Sequence, residues 1–99
     1  MLIHNVYFWL KDGLDADQIE AFRLALRGLC DIPAARSVYV GRPAPTGGRA
    51  VVDDSYSFAL TVVFDSIEGH DAYQVHPLHK AFGENNRHLW RKLVVYDAE

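Results

Sequence analysis

The sequence predicts an α+β fold in the order β-α-β-β-α-β, a four-stranded antiparallel sheet with its helices on one face. Three observations carry that expectation. Leu2 to Leu10 is a run of apolar, aromatic and β-branched residues closed by the turn signal Lys11-Asp12-Gly13. An apolar stripe at helical spacing follows it, through Ile19, Phe22, Leu26 and Leu29. After a loop rich in proline and glycine, a second strand-like run, Tyr56 to Phe64, is again followed by a helical segment.

In the first strand Leu2, His4, Val6, Phe8 and Leu10 share one face, and Ile3, Asn5, Tyr7 and Trp9 the other. Both faces are largely apolar, so the strand is expected to be covered on both sides. The first helix is expected from Asp15 to about Leu29. Asp15 stands as N-cap with Gln18 three residues on, the capping-box arrangement, and Leu14 and Ile19 occupy the staple positions. Pro33 marks the stop. Arg36 to Gly41 reads as the second strand, with Val38 and Val40 on one face and Tyr39 on the other. Pro43 to Asp54 is loop by composition, and within it Val51 and Val52 suit pairing with an edge or packing on a partner subunit.

The third strand, Tyr56 to Phe64, places Tyr56, Phe58, Leu60, Val62 and Phe64 on one face. Ser66 is the expected cap of a second helix running to about Val75. Pro77 interrupts it, because proline offers no amide hydrogen to the carbonyl four residues back. A short helical turn to about Glu84 and a last strand, Leu89 to Tyr96, complete the order. The helices then leave one sheet face bare with Ile3, Tyr7 and Trp9 on it. A second copy set sheet to sheet with two-fold symmetry is the simplest cover, so a homodimer is expected.

Ninety-nine residues suit a single domain over residues 1–99, long enough to fold without disulfides or metals. Hydrophobic residues make up 49% and charged residues 23%, an ordinary globular balance. The formal charge of −3, with Lys and Arg scattered along the chain, provides no basic face for nucleic acid or anionic membranes. No apolar run approaches the ~18 residues of a membrane span. Cys30 is alone, which excludes an intrachain disulfide and cysteine-based zinc motifs. The N-terminal stretch lacks a basic segment and a cleavage site, so a cytoplasmic location is expected.

The residues able to carry chemistry cluster around Pro77. On an unbroken helix Tyr73 and His76 share a face and His79 is rotated away; the proline break lets His79 turn inward above Tyr73. A neutral imidazole can take a proton from carbon, and a tyrosine hydroxyl can steady an enolate or return a proton. The pair suits proton abstraction beside a carbonyl, aldol closure or isomerisation. The structural alternative is that Tyr73 and His79 satisfy each other within a core, while His76 caps the turn that starts at Pro77. His4, among Leu2, Val6 and Phe8, is either a hydrogen-bonded core histidine or a ligand contact.

No cofactor and no metal are expected. Gly47-Gly48 lies before a strand rather than at a helix start, and no nucleophilic-serine motif is present. His76 and His79 have an H-x-x-H spacing, but Pro77 intervenes and no third ligand is evident, His70 and His88 lying elsewhere in the chain.

The motifs resemble the stress-responsive A/B barrel family, a group of dimeric α+β barrels with a ferredoxin-like fold. The resemblance runs from His4-x-Val6-x-Phe8 through Leu29-x-x-Ile32-Pro33, Ser55 to Leu60 and Phe64-Asp65-Ser66. It continues with Tyr73-x-x-His76-Pro77-x-His79 and the end from Trp90 to Asp97. The Tyr-x-x-His-Pro-x-His segment is the most specific part. The resemblance implies a barrel formed across a homodimer. A characterised plant member closes a linear polyketide by aldol condensation without cofactor, and its catalytic tyrosine and histidine correspond to Tyr73 and His79. Phe22 and Trp90 match residues lining that enzyme's cavity, and His4 matches a polar one. Phe58 stands where it has a second cavity histidine, and Ala25 replaces a cavity tyrosine, so polyketide specificity does not carry over.

Two functions follow as expectations. One is a cofactor-independent lyase, cyclase or isomerase acting on a hydrophobic carbonyl compound. Its catalytic pair would be Tyr73 and His79, with ligand contacts from His4, Val6, Phe8, Phe22, His76 and Trp90. The other is a non-catalytic, stress-related ligand-binding or scaffold homodimer. An enzyme needs an open cavity on which both polar groups converge; a scaffold needs that volume filled.

Overall fold

The computed structural model describes residues 1–99. Its central strand, β1 (Leu2–Leu10), pairs on both sides, antiparallel to β3 (Phe58–Phe64) and to β4 (Trp90–Ala98); β2 (Ser37–Gly41) lies beyond β3, giving the sheet order β2-β3-β1-β4. Such an order follows when each helix carries the chain across one strand position and an antiparallel partner fills the gap.

Side chains of β1 and β3 alternate in step because their register holds from Leu2↔Phe64 to Phe8↔Phe58. Leu2, Val6, Phe8, Phe58, Leu60, Val62 and Phe64 therefore point to one side, where they form the core with Phe22, Leu26, Leu29, Ile32, Tyr73 and Leu89. The helix α1 (Ala16–Arg27) contributes Phe22 and Leu26, both fully buried. Its start is fixed as expected: the Gln18 amide donates to Asp15 Oδ1 (2.8 Å) and the Asp15 amide donates to Gln18 Oε1 (2.9 Å). The helix ends at Arg27 and gives way to a single 3-10 turn, Gly28–Asp31.

The helix α2 (Ile67–Val75) begins after Ser66, which occupies the cap position but contributes no side-chain hydrogen bond there. Its backbone carbonyl instead accepts from the Gly69 and His70 amides. Pro77 opens a second helical segment as expected, α3 (Pro77–Asn86), which runs two residues beyond Glu84. Proline is favourable at a first helical position, since its missing N–H would have no partner there. His76 sits between the two helices in extended backbone, and its Nδ1 accepts from the Leu78 amide at 3.1 Å. That bond is worth about 0.5–1 kcal/mol. His76→Ala is expected to lower the melting temperature by roughly 2–8 °C, measured by calorimetry.

One expectation needs correction. Tyr56 does not continue the buried face of β3, because the strand begins at Phe58 and residues 52–56 run as irregular chain. The Tyr56 ring instead meets Tyr7 edge-on, with centroids 5.1 Å apart, on the opposite face of the sheet. Val51 and Val52 form no strand, and Val51 is exposed. Along that open face the register lines up Tyr39, Thr61, Asn5 and Tyr96 in one row across all four strands. Asn5 Oδ1 accepts from the Thr61 hydroxyl at 2.8 Å. The helix-free face is thus rich in aromatic surface, with Tyr39 63% and Tyr96 64% exposed.

Candidate functional site

A cavity of about 170 Å³ lies between the helix-side face of the sheet and the α2–α3 corner. The sheet supplies His4, Val6, Phe8, Leu60, Trp90, Leu93 and Val95; the helices supply Tyr73, Gln74, His79, Phe82, Gly83 and Arg87. Leu93 and Val95, on the edge strand, are 40% and 43% exposed and form its mouth. The break at Pro77 positions the polar end. Tyr73 lies in the last turn of α2 and His79 in the first turn of α3, so the change of direction at His76 brings their rings to 4.8 Å, edge to face.

The Tyr73 hydroxyl is the one buried side-chain polar atom in the protein with no hydrogen-bond partner. The ring around it is fully buried, against Phe64, His4 and His79. Burial pushes its pKa well above the usual phenol value, so the group stays protonated. His79 moves the other way. Burial, reinforced by the positive charge that His4 and His70 can carry, holds its pKa below the ordinary imidazole value. A neutral imidazole therefore stands beside a protonated phenol at neutral pH, which is the protonation state of a base paired with a hydrogen-bond donor.

The five histidines differ in how they are held. His4, buried in β1, lies 2.5 Å from Asp97 Oδ1 through its Nδ1, and the β1–β4 register sets the two residues directly opposite each other. His70 on α2 lies 3.0 Å from Asp71 Oδ1 through its own Nδ1. His76 is spent on capping α3, and His88 is exposed in the turn before β4. His79 has no comparable tether.

Of the residues singled out from sequence, Tyr73, His79, His4, Val6, Phe8 and Trp90 come together at this cavity. Phe22 stands behind the wall, fully buried against Phe8, Phe58, Phe82 and Trp90. His76 points to the α3 amides instead. Sequence reasoning left out Asp97, whose signal was the pairing of β1 with the last strand. It also left out Phe82, five residues beyond Pro77 within α3, and Arg87, just past the end of that helix.

The profile of the stress-responsive A/B barrel domain family matches residues 2–99. The chain belongs to that family. Among relatives of this barrel, the olivetolic acid cyclase of Cannabis sativa is 30% identical over 95 residues, covering 95% of this chain and 91% of that protein. A dimeric ferredoxin-like protein of unknown function from Thermobifida fusca superposes with a TM-score of 0.77 at 28% identity, covering 98% of this chain and 88% of the other. The hydroxynitrile lyase of Passiflora edulis superposes with a TM-score of 0.80 at 22% identity over 98% of this chain and 90% of its own, which extends the likeness of fold. No helix of this A/B barrel protein is long and apolar enough to cross a membrane.

Proposed function

We propose that this protein is a homodimeric acid–base enzyme of lyase, cyclase or isomerase type, acting on a small hydrophobic carbonyl compound through Tyr73 and His79. The observation that carries the reading is the orphaned hydroxyl of Tyr73, a buried residue that lines the cavity and packs on His79. A buried hydroxyl without a partner costs about 1–3 kcal/mol, and a bound carbonyl or enolate oxygen would supply that partner. The 30% identity to a cyclase supports the reaction class of this reading.

His79 takes the proton from the carbon beside the carbonyl. The Tyr73 hydroxyl donates a hydrogen bond to the oxygen on which negative charge accumulates, and its raised pKa keeps the proton on the phenol while it does so. The imidazolium then returns its proton to the product. The apolar wall of Val6, Phe8, Phe82 and Trp90 accommodates a hydrocarbon or aryl group and keeps water from the enolate. A volume of about 170 Å³ limits the part of the ligand enclosed by one protomer to a small molecule or the reacting end of a longer one.

The reading is tested by following deuterium uptake at the α-carbon of short alkyl and aryl ketones and β-diketones in D2O by proton NMR. Exchange above the buffer background is expected for at least one of these probes. Its rate should stay level through neutral pH and fall only on the acid side, with an apparent pKa below the ~6.5 of free imidazole, because His79 must be neutral to act and its pKa is lowered. No alkaline limb from Tyr73 is expected below the ordinary phenol range. Exchange absent for every probe, or an acid limb at or above that of free imidazole, would overturn His79 as the base.

A further inference from the structure

Beyond the acid–base pair, His4, His70 and Asp97 converge from three different elements: β1, α2 and β4. One donor atom from each lies within 4.8 Å of the others. His70 Nε2 is 3.9 Å from Asp97 Oδ2, His4 Nδ1 is 2.5 Å from Asp97 Oδ1, and the two imidazoles meet edge to face with centroids 5.2 Å apart. We propose that these three residues form a site for a divalent transition-metal ion of the zinc class.

The donor set is the first argument. Two imidazole nitrogens and one carboxylate suit a borderline-soft divalent ion and leave a fourth position for water or ligand. Tetrahedral coordination at ~2.0–2.1 Å separates ligand atoms by about 3.3 Å. The His4–Asp97 pair must open by less than ~1 Å, and the wider pairs of the cluster, which lie within 4.8 Å, must close by up to ~1.5 Å. Asp97 lies near the end of the edge strand β4 and its side chain is 39% exposed, so it has room to make that adjustment.

The second argument is independent and concerns the tautomer of His70. Its Nδ1–H donates to Asp71 Oδ1 at 3.0 Å, which puts the ring's lone pair on Nε2, 3.9 Å from Asp97 Oδ2. A carboxylate behind a histidine in this way is the arrangement that orients metal-bound imidazoles and raises their basicity. The Gln74 side-chain amide, 3.5 Å from the same Nε2, faces that lone pair and turns aside when an ion binds. On ion binding, the proton that His4 Nδ1 shares with Asp97 moves to His4 Nε2, so His4 binds as the neutral imidazole. His4 is also part of the cavity wall, which places the ion at the inner edge of the cavity.

Zinc uptake is measured on the purified full chain, without any substrate, so the outcome does not depend on the acid–base reading. Calorimetric titration with Zn2+ is expected to give one ion per chain with a Kd on the order of micromolar or tighter. Added Zn2+ should also raise the melting temperature. Co2+ in its place should give the intense visible absorption of a low-coordinate site. His70→Ala is expected to remove the binding, and Asp71→Asn, an exposed change, to weaken it by roughly 10–100-fold while leaving the metal-free melting temperature unchanged. His88→Ala should bind as wild type. Absence of saturable uptake, or an affinity unchanged in either His70→Ala or Asp71→Asn, would overturn the site.

Discussion

His79→Ala should abolish α-proton exchange, lowering the rate by at least ~100-fold, while the melting temperature of the protein stays within a few degrees of wild type. The imidazole is half-buried and tied to no side-chain partner, so its removal costs only part of a packing contact with Tyr73. Tyr73→Phe gives the sharper contrast. It keeps the ring packed on Phe64 and His4 and deletes only the hydroxyl that has no partner. Removing an unsatisfied buried hydroxyl relieves a desolvation cost of about 1–3 kcal/mol, so the variant should be as stable as wild type or more so. Each kcal/mol gained corresponds to a rise of roughly 4–8 °C in a domain of this size. A protein that becomes more stable as it becomes inactive has been holding that hydroxyl for something other than folding. In the scaffold alternative the two substitutions change stability in the same way, since the Tyr73 hydroxyl has no partner to lose, but exchange stays at the buffer background in wild type and variants alike. The exchange assay on wild type and the same two proteins separates the readings.

The parts of this architecture that were legible in sequence are those fixed by local chemistry. The cap at Asp15, the stripe Ile19–Phe22–Leu26 and the alternation through β1 and β3 each depend on spacing within one element, and each appears in the structure as read. Tyr73 and His79 were legible for a related reason: a proline between them allows only a few chain directions. Tyr56 was misplaced because alternation was extended past the true start of β3, where Ser57 still pairs with Phe8 but no ladder holds the residue before it. The helical segment after Pro77 runs two residues past its expected end at Glu84, and Phe82 within it packs on Phe8, Phe22 and Trp90. The grouping of His4 with Asp97 and His70 depends on residues 93 positions apart meeting across a strand pair. No local pattern announces that; the register between β1 and β4 does.

The same register argument makes a charge on the open sheet face the most disruptive surface change to expect. Tyr39 and Tyr96 stand at opposite ends of one row across the sheet, both more than 60% exposed, with Tyr7, Trp9 and Tyr56 between and beside them. Trp9 is fixed there by a hydrogen bond from Nε1 to Ser55 Oγ (3.1 Å) and by Lys92 Nζ, 4.5 Å above its ring. A fixed aromatic surface of this kind suits a partner, and the Thermobifida fusca relative is described as dimeric. In a two-fold sheet-to-sheet dimer every substitution appears twice in the interface. Tyr96→Glu therefore buries two carboxylates without partners, at roughly 2–5 kcal/mol, enough to weaken association by ~30-fold or more. Sedimentation at micromolar concentration should show wild type as a dimer and Tyr96→Glu shifted to monomer, with Tyr39→Glu in the same direction. A wild-type monomer would leave the aromatic face without the cover proposed for it. A dimer unmoved by both substitutions would place the contact on another surface.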